Sequence, residues 1–117
     1  MLLQSAVPVA GTFLSLALFL SVTAHVAARN VLGDVPARLG LTVGPGPAAV
    51  AVTGAALSVT PAVSVPLAVV ADALLVRRAY GLERRLTAYV TLIHAVVSVA
   101  LGAALVAGFL LFRTAPG

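Results

Sequence analysis

The chain has 117 residues, 62% of them hydrophobic and only 9% charged, with a net charge of +4. A soluble domain carries roughly 45–50% apolar and about 25% charged residues, so most of this surface must meet lipid rather than water. The seven basic residues are all Arg (29, 38, 77, 78, 84, 85 and 113), too dispersed for a nucleic-acid-binding face, and the absence of Cys excludes disulfides and thiolate metal sites.

The first apolar run, Ala6 to Ala28, is 23 residues without a formal charge. Crossing a bilayer core takes about 20 apolar residues, so a first transmembrane helix is predicted over about 7–28, with Pro8 in its first turn. Ser21 to Ala28 has small residues suited to signal-peptide cleavage. No basic residue precedes Arg29, however, and the run exceeds the roughly 15 residues of a signal h-region. A retained helix is the expectation.

Arg29 to Arg38, with Gly33, Asp34 and Pro36, reads as a loop. Leu39 to Ala71 then runs 33 residues without a charge. One straight helix of that length would measure roughly 50 Å against a hydrocarbon core of about 30 Å. The chain must therefore turn back, at Ser58-Val59-Thr60-Pro61. That gives helix two at about 41–57 and helix three at about 61–76. Gly44-Pro45-Gly46-Pro47 strains helix two. If helix two began only at Pro47 it could not cross, and helices two and three would form a re-entrant hairpin. Arg77 to Arg85 is a second charged loop, and helix four follows at about 86–112.

The prediction is one all-α domain spanning residues 1–117, an integral membrane bundle of four transmembrane helices. Loops 29–38 and 77–85 hold six of the seven Arg. The positive-inside rule places both in the cytoplasm and both termini outside, in the cell membrane. Tyr80 and Tyr89 then lie near the cytoplasmic interface, and Phe109 and Phe112 near the outer one.

Three ionisable side chains fall inside the predicted spans: His25, Asp72 and His94. An ionised Asp at mid-helix costs roughly 2.5–3.5 kcal/mol to insert. Positions 68, 69, 75 and 76 offer it no partner on its own helix. Arg29, His25 and His94 are the candidate partners, which makes His25, Arg29, Asp72 and His94 a candidate intramembrane polar cluster. It is a clamp fixing helix register, an Asp simply protonated at that depth, or a proton or ion relay.

His94 also belongs to a helical stripe of Thr87, Thr91, His94, Ser98 and Gly102. Small and hydroxylated residues on one face let helices approach closely. On helix one, Gly11, Ser15, Val22, His25 and Arg29 form the face expected to turn inward against it.

Two His and one Asp could ligate a metal on paper. No His-Glu-x-x-His motif or second carboxylate supports this, so no metal is expected. Ser21, Ser64 and Ser98 lie in no nucleophile-elbow pattern. Neither catalytic residues nor a cofactor are expected.

Arg as the sole basic residue, 24 Ala, 20 Val, the single Ile93 and no Cys suggest a GC-rich haloarchaeal source. Gly11-Thr12-Phe13, His25 to Arg29 leading into Val31 to Pro36, Asp72 with Arg77 and Tyr80, and His94 carry a resemblance. The chain resembles a family of short, uncharacterised haloarchaeal multi-pass membrane proteins; Gly44 to Pro47 departs from that pattern. The resemblance implies the membrane layout and no activity. The functional expectation is a non-enzymatic structural or interaction module, acting as a homo-oligomer or a subunit of a larger membrane complex. The alternative is a small oligomeric transporter or proton-coupled carrier using the Asp/His cluster.

Overall fold

The computed structural model describes residues 2–116, with side chains from Ser5 onward. All regular structure among the described residues is α-helical: α1 (Leu2–Leu32), α2 (Arg38–Val43), α3 (Pro45–Ala56), α4 (Pro61–Tyr80) and α5 (Arg84–Thr114). The helices run past the arginines that were expected to bound them. Charge marks where a helix meets water, but it does not stop the backbone. What stops α1 is Gly33 at φ 87°, and what stops α4 is Gly81 at φ 62°. Both take the left-handed conformation that glycine adopts without steric cost. The Gly81 amide closes back onto the Arg77 carbonyl, and Arg77 and Arg78 in the last turn suit the negative end of the helix dipole. The connections therefore shrink to residues 33–37 and 81–83. Pro8, expected in a first turn, lies inside α1 instead.

Helix two is a kinked rod. Gly44 keeps helical angles, φ −55° and ψ −42°, so α2 passes into α3 without leaving the helical path. Gly44 N–H bonds Gly40 O at 3.0 Å, and Ala48 N–H bonds Gly44 O at 3.3 Å. Pro45 and Pro47 have no N–H to give, so the ladder is interrupted between these two bonds. The rod Arg38–Ala56 has 19 residues, or about 28 Å. A helix beginning only at Pro47, the premise of a re-entrant hairpin, is not found.

At the other end of the rod, Ser58 turns the chain with φ 57°. Thr60 then caps α4, its hydroxyl accepting from Ala62 N–H at 3.2 Å. Three stretches, Ser5–Leu32, Arg38–Ala56 and Arg84–Thr114, are long and apolar enough to cross a membrane. The fourth rod, α4, is 20 residues long and carries Asp72, Arg77 and Arg78.

The four rods close into a ring. α1 touches the α2–α3 rod and α5, and α4 touches the same two, so α1 lies across from α4. Glycines set the closest approach. A Cβ on Gly40 would stand 2.5 Å from the Ser21 carbonyl, and one on Gly44 would stand 2.6 Å from the Ala17 carbonyl and collide with Ser21. Gly40-xxx-Gly44 thus seats α2 directly on the backbone of α1, as small-residue pairs do between membrane helices. The buried core, Ala24, Ala28, Val43, Val76 and Val90, lies at the arginine-bearing end.

The inward face of α1 corrects the sequence reading. Gly11, Ser15, Val22 and Arg29 are exposed and His25 is half-buried. The buried residues are Ala17, Ser21, Thr23, Ala24, Ala27 and Ala28. Close packing against glycine admits only small side chains, and that requirement outweighs polarity in choosing the face.

Candidate functional site

Asp72 on α4 and His94 on α5 meet inside the ring, at 5% and 3% exposure. Asp72 Oδ2 lies 2.6 Å from His94 Nδ1, within the range of charge-assisted hydrogen bonds. On the far side of the imidazole, Nε2 lies 3.1 Å from the Leu20 carbonyl and 2.9 Å from Thr23 Oγ1, both on α1. Ser98 Oγ donates to Thr23 Oγ1 at 2.9 Å. One hydrogen-bonded chain therefore ties α4, α5 and α1 together.

The partners fix the protons. A carbonyl only accepts, so the bond to Leu20 O requires a hydrogen on Nε2. A second proton is shared between Nδ1 and the Asp72 carboxylate, and the pair as a whole is neutral. Thr23 accepts from Nε2 and Ser98 and donates to Leu20 O at 3.2 Å. If the pair loses a proton and Nε2 is left bare, the Thr23 hydroxyl needs only to rotate to donate to it. Thr23 therefore serves either protonation state.

A cavity of about 250 Å³ adjoins the pair. Ser64, Asp72, Thr91, His94 and Ser98 line it, together with apolar residues from all four rods. Of its lining residues, Asp72 and Thr91 each carry a buried oxygen without a hydrogen-bond partner, Oδ1 and Oγ1.

Of the expected cluster, Asp72 and His94 come together. His25 packs beside α2, near Ala37, Arg38 and Leu41, and its Nδ1 has no partner. Arg29 is exposed. No bond joins either of them to Asp72, because both sit on other faces of α1 from Thr23. On the α5 stripe, Thr87, Thr91 and His94 are buried, while Ser98 and Gly102 are half-buried. Thr87 Oγ1 bonds its own Glu83 carbonyl at 2.8 Å. Thr23 and the Leu20 carbonyl were missed. The available signal was position: Thr23 lies at the same depth as His25, on the face that carries Ala27. Among the described residues, no three of His, Cys, Asp and Glu gather closely enough to share a metal.

No curated protein and no solved structure matches this chain. Residues 4–116 do match a defined family, described only as of unknown function. That match runs through all five helices and the Asp72–His94 pair, and the chain belongs to that family, DUF7473.

Proposed function

We propose that the chain is a small, non-enzymatic membrane protein of four crossing rods that works as a proton-coupled carrier, assembled as a homo-oligomer. In this reading both termini lie outside, and the turns at residues 33–37 and 81–83, with their flanking arginines, face the cytoplasm. Three rods qualify for crossing by length and composition, and α4, at 20 residues, reaches about 30 Å. Large apolar side chains are exposed along every rod, including Leu14, Leu41, Leu74 and Leu105. Such a surface fits lipid and would aggregate in water. Arg29, Arg38, Arg77, Arg78, Arg84 and Arg85 are all exposed at one end, as the positive-inside rule requires. Composition favours a haloarchaeal source.

The observation that carries the reading is the Asp72–His94 pair, buried and bonded at 2.6 Å beside a cavity. Acid–imidazole pairs inside membranes mark proton pathways. The crevice beside the pair measures only about 250 Å³, so a complete pathway needs more than one copy.

The bond chain from α4 through α5 to α1 supports a second reading, a purely structural or interaction module in which the pair clamps the helices. Proton flux into vesicles with an interior pH dye separates the two. The carrier reading expects flux from the natural protein and its loss in Asp72→Asn and His94→Ala. Unchanged flux combined with lower bundle stability would establish the clamp instead.

A further inference from the structure

We propose that the crevice between α4 and α5 binds the ammonium head of a small membrane-dissolved amphiphile, and that this cation competes with a proton for the Asp72–His94 pair. The proposal deepens the carrier reading above by naming its substrate class. It also stands as a binding site without transport.

The crevice has a polar floor and an apolar mouth. Val65 and Val69 on α4 and Val99 on α5 line it and are 56%, 42% and 72% exposed. It therefore opens sideways, into lipid in the membrane reading, and admits a molecule already dissolved there. Two of its lining residues, Asp72 and Thr91, are only 5% and 8% exposed and carry the buried, unpartnered oxygens Oδ1 and Oγ1. Oδ2 is already engaged by His94. A buried acceptor left unmade is costly, and an ammonium supplies three donors and no acceptor.

Charge selects a cation over a neutral donor. No charged side chain other than Asp72 and His94 lines the cavity: α1 contributes Leu16 and Leu20, and α3 contributes Pro47 and Ala51. With its shared proton the pair is neutral and offers little to a cation. Once the pair gives up one proton to water, one negative charge remains in apolar surroundings, and an ammonium compensates it. Binding R–NH3+ to the loaded pair therefore expels one H+, and charge balances. The volume of about 250 Å³ matches about eight waters at roughly 30 Å³ each, so the part of the ligand seated in the crevice is no larger than a short phenylalkyl or alkyl amine.

The test uses the full chain in nanodiscs with 2-phenylethylamine as probe and 2-phenylethanol as its neutral counterpart. The expected result is saturable amine binding with proton release into weakly buffered medium. Binding should weaken about tenfold to a hundredfold in Asp72→Asn, the loss of one charge-assisted hydrogen bond. Thr91→Val should weaken it less, and Ala68→Phe should block the crevice while leaving the Asp72–His94 pair in place, which keeps the test valid if Asp72→Asn misfolds. Equal affinity for the alcohol, undiminished binding in folded Asp72→Asn and Ala68→Phe, or partitioning without saturation would overturn the proposal. Binding with proton release but no vesicle flux would keep the site and sink the carrier. Flux without amine binding would do the reverse.

Discussion

At the arginine-bearing end, Ala24, Ala28, Val43, Val76 and Val90 are buried together and Gly40 and Gly44 lie against the α1 backbone. At the opposite end, α5 is exposed on every face from residue 103 to 114, and nothing lies within 4 Å of the Cβ positions of Gly11 and Gly108. Small residues at one end let the rods close. Past Phe19, which still reaches 3.8 Å from the Gly102 Cβ position, α1 and α5 part from their neighbours, while Gly54 still seats α3 on Ser64 of α4. The Asp72–His94 pair sits at the border, held by the tight end and facing the crevice of the loose one. A rigid frame beside an open gap is what a binding centre needs: fixed partners on one side and access on the other.

The contrast can be broken most severely at Gly44. Gly44→Leu drives carbon into the Ser21 and Ala17 backbone and should cost about 3 kcal/mol, whereas Gly108→Leu should cost almost nothing. Unfolding in mixed micelles measures both. Equal effects would mean that the two ends are packed alike.

The next largest effect belongs to His94→Ala. It cuts the bonds to Asp72, Leu20 and Thr23 and should destabilise by about 1–2 kcal/mol, near the upper range of hydrogen bonds between membrane helices. Leu105→Ala and Phe109→Ala, at 63% and 60% exposure, should each shift stability of the isolated chain by less than about 0.5 kcal/mol. Larger losses would show that the outer half of α5 already has a partner copy in micelles.

The sequence analysis reached different depths at the two ends, for physical reasons. Asp72 and His94 were legible because an ionisable group in an apolar run must find a partner. The need for a turn was legible from bilayer thickness, and its place from the turn residues Ser58 to Pro61. Helix ends were not, since Arg29 and Arg77 end the apolar runs while the chain stays helical to Leu32 and Tyr80. Gly44 to Pro47 was read as a breaker, although a glycine between helical neighbours can equally be a contact point. The inward face of α1 was misjudged because polarity was weighted over size. Ala17 and Ser21 were the residues small enough to meet Gly44, and His25 meets Gly40 only through its backbone and Cβ.

A smaller effect tests the tight end from its rim. Tyr80 lies beyond Arg77 and Arg78, and burial pushes its hydroxyl above the ordinary 10.0. The folded chain thus holds that proton more firmly than the unfolded chain does. The stability this contributes is fully present below pH 10 and is lost as pH rises past it. Tyr80→Phe should remove that part of the alkaline decline and change little at neutral pH. An unchanged decline would place the rim in water.

The most direct measurement of the central claim is the 15N NMR spectrum of His94 in bilayers, compared between the natural chain, Asp72→Asn and Arg29→Gln. The account expects a protonated Nε2 and an Nδ1 in a strong hydrogen bond, with Nδ1 moving in Asp72→Asn and both nitrogens unmoved in Arg29→Gln. An imidazole spectrum indifferent to Asp72 would contradict it.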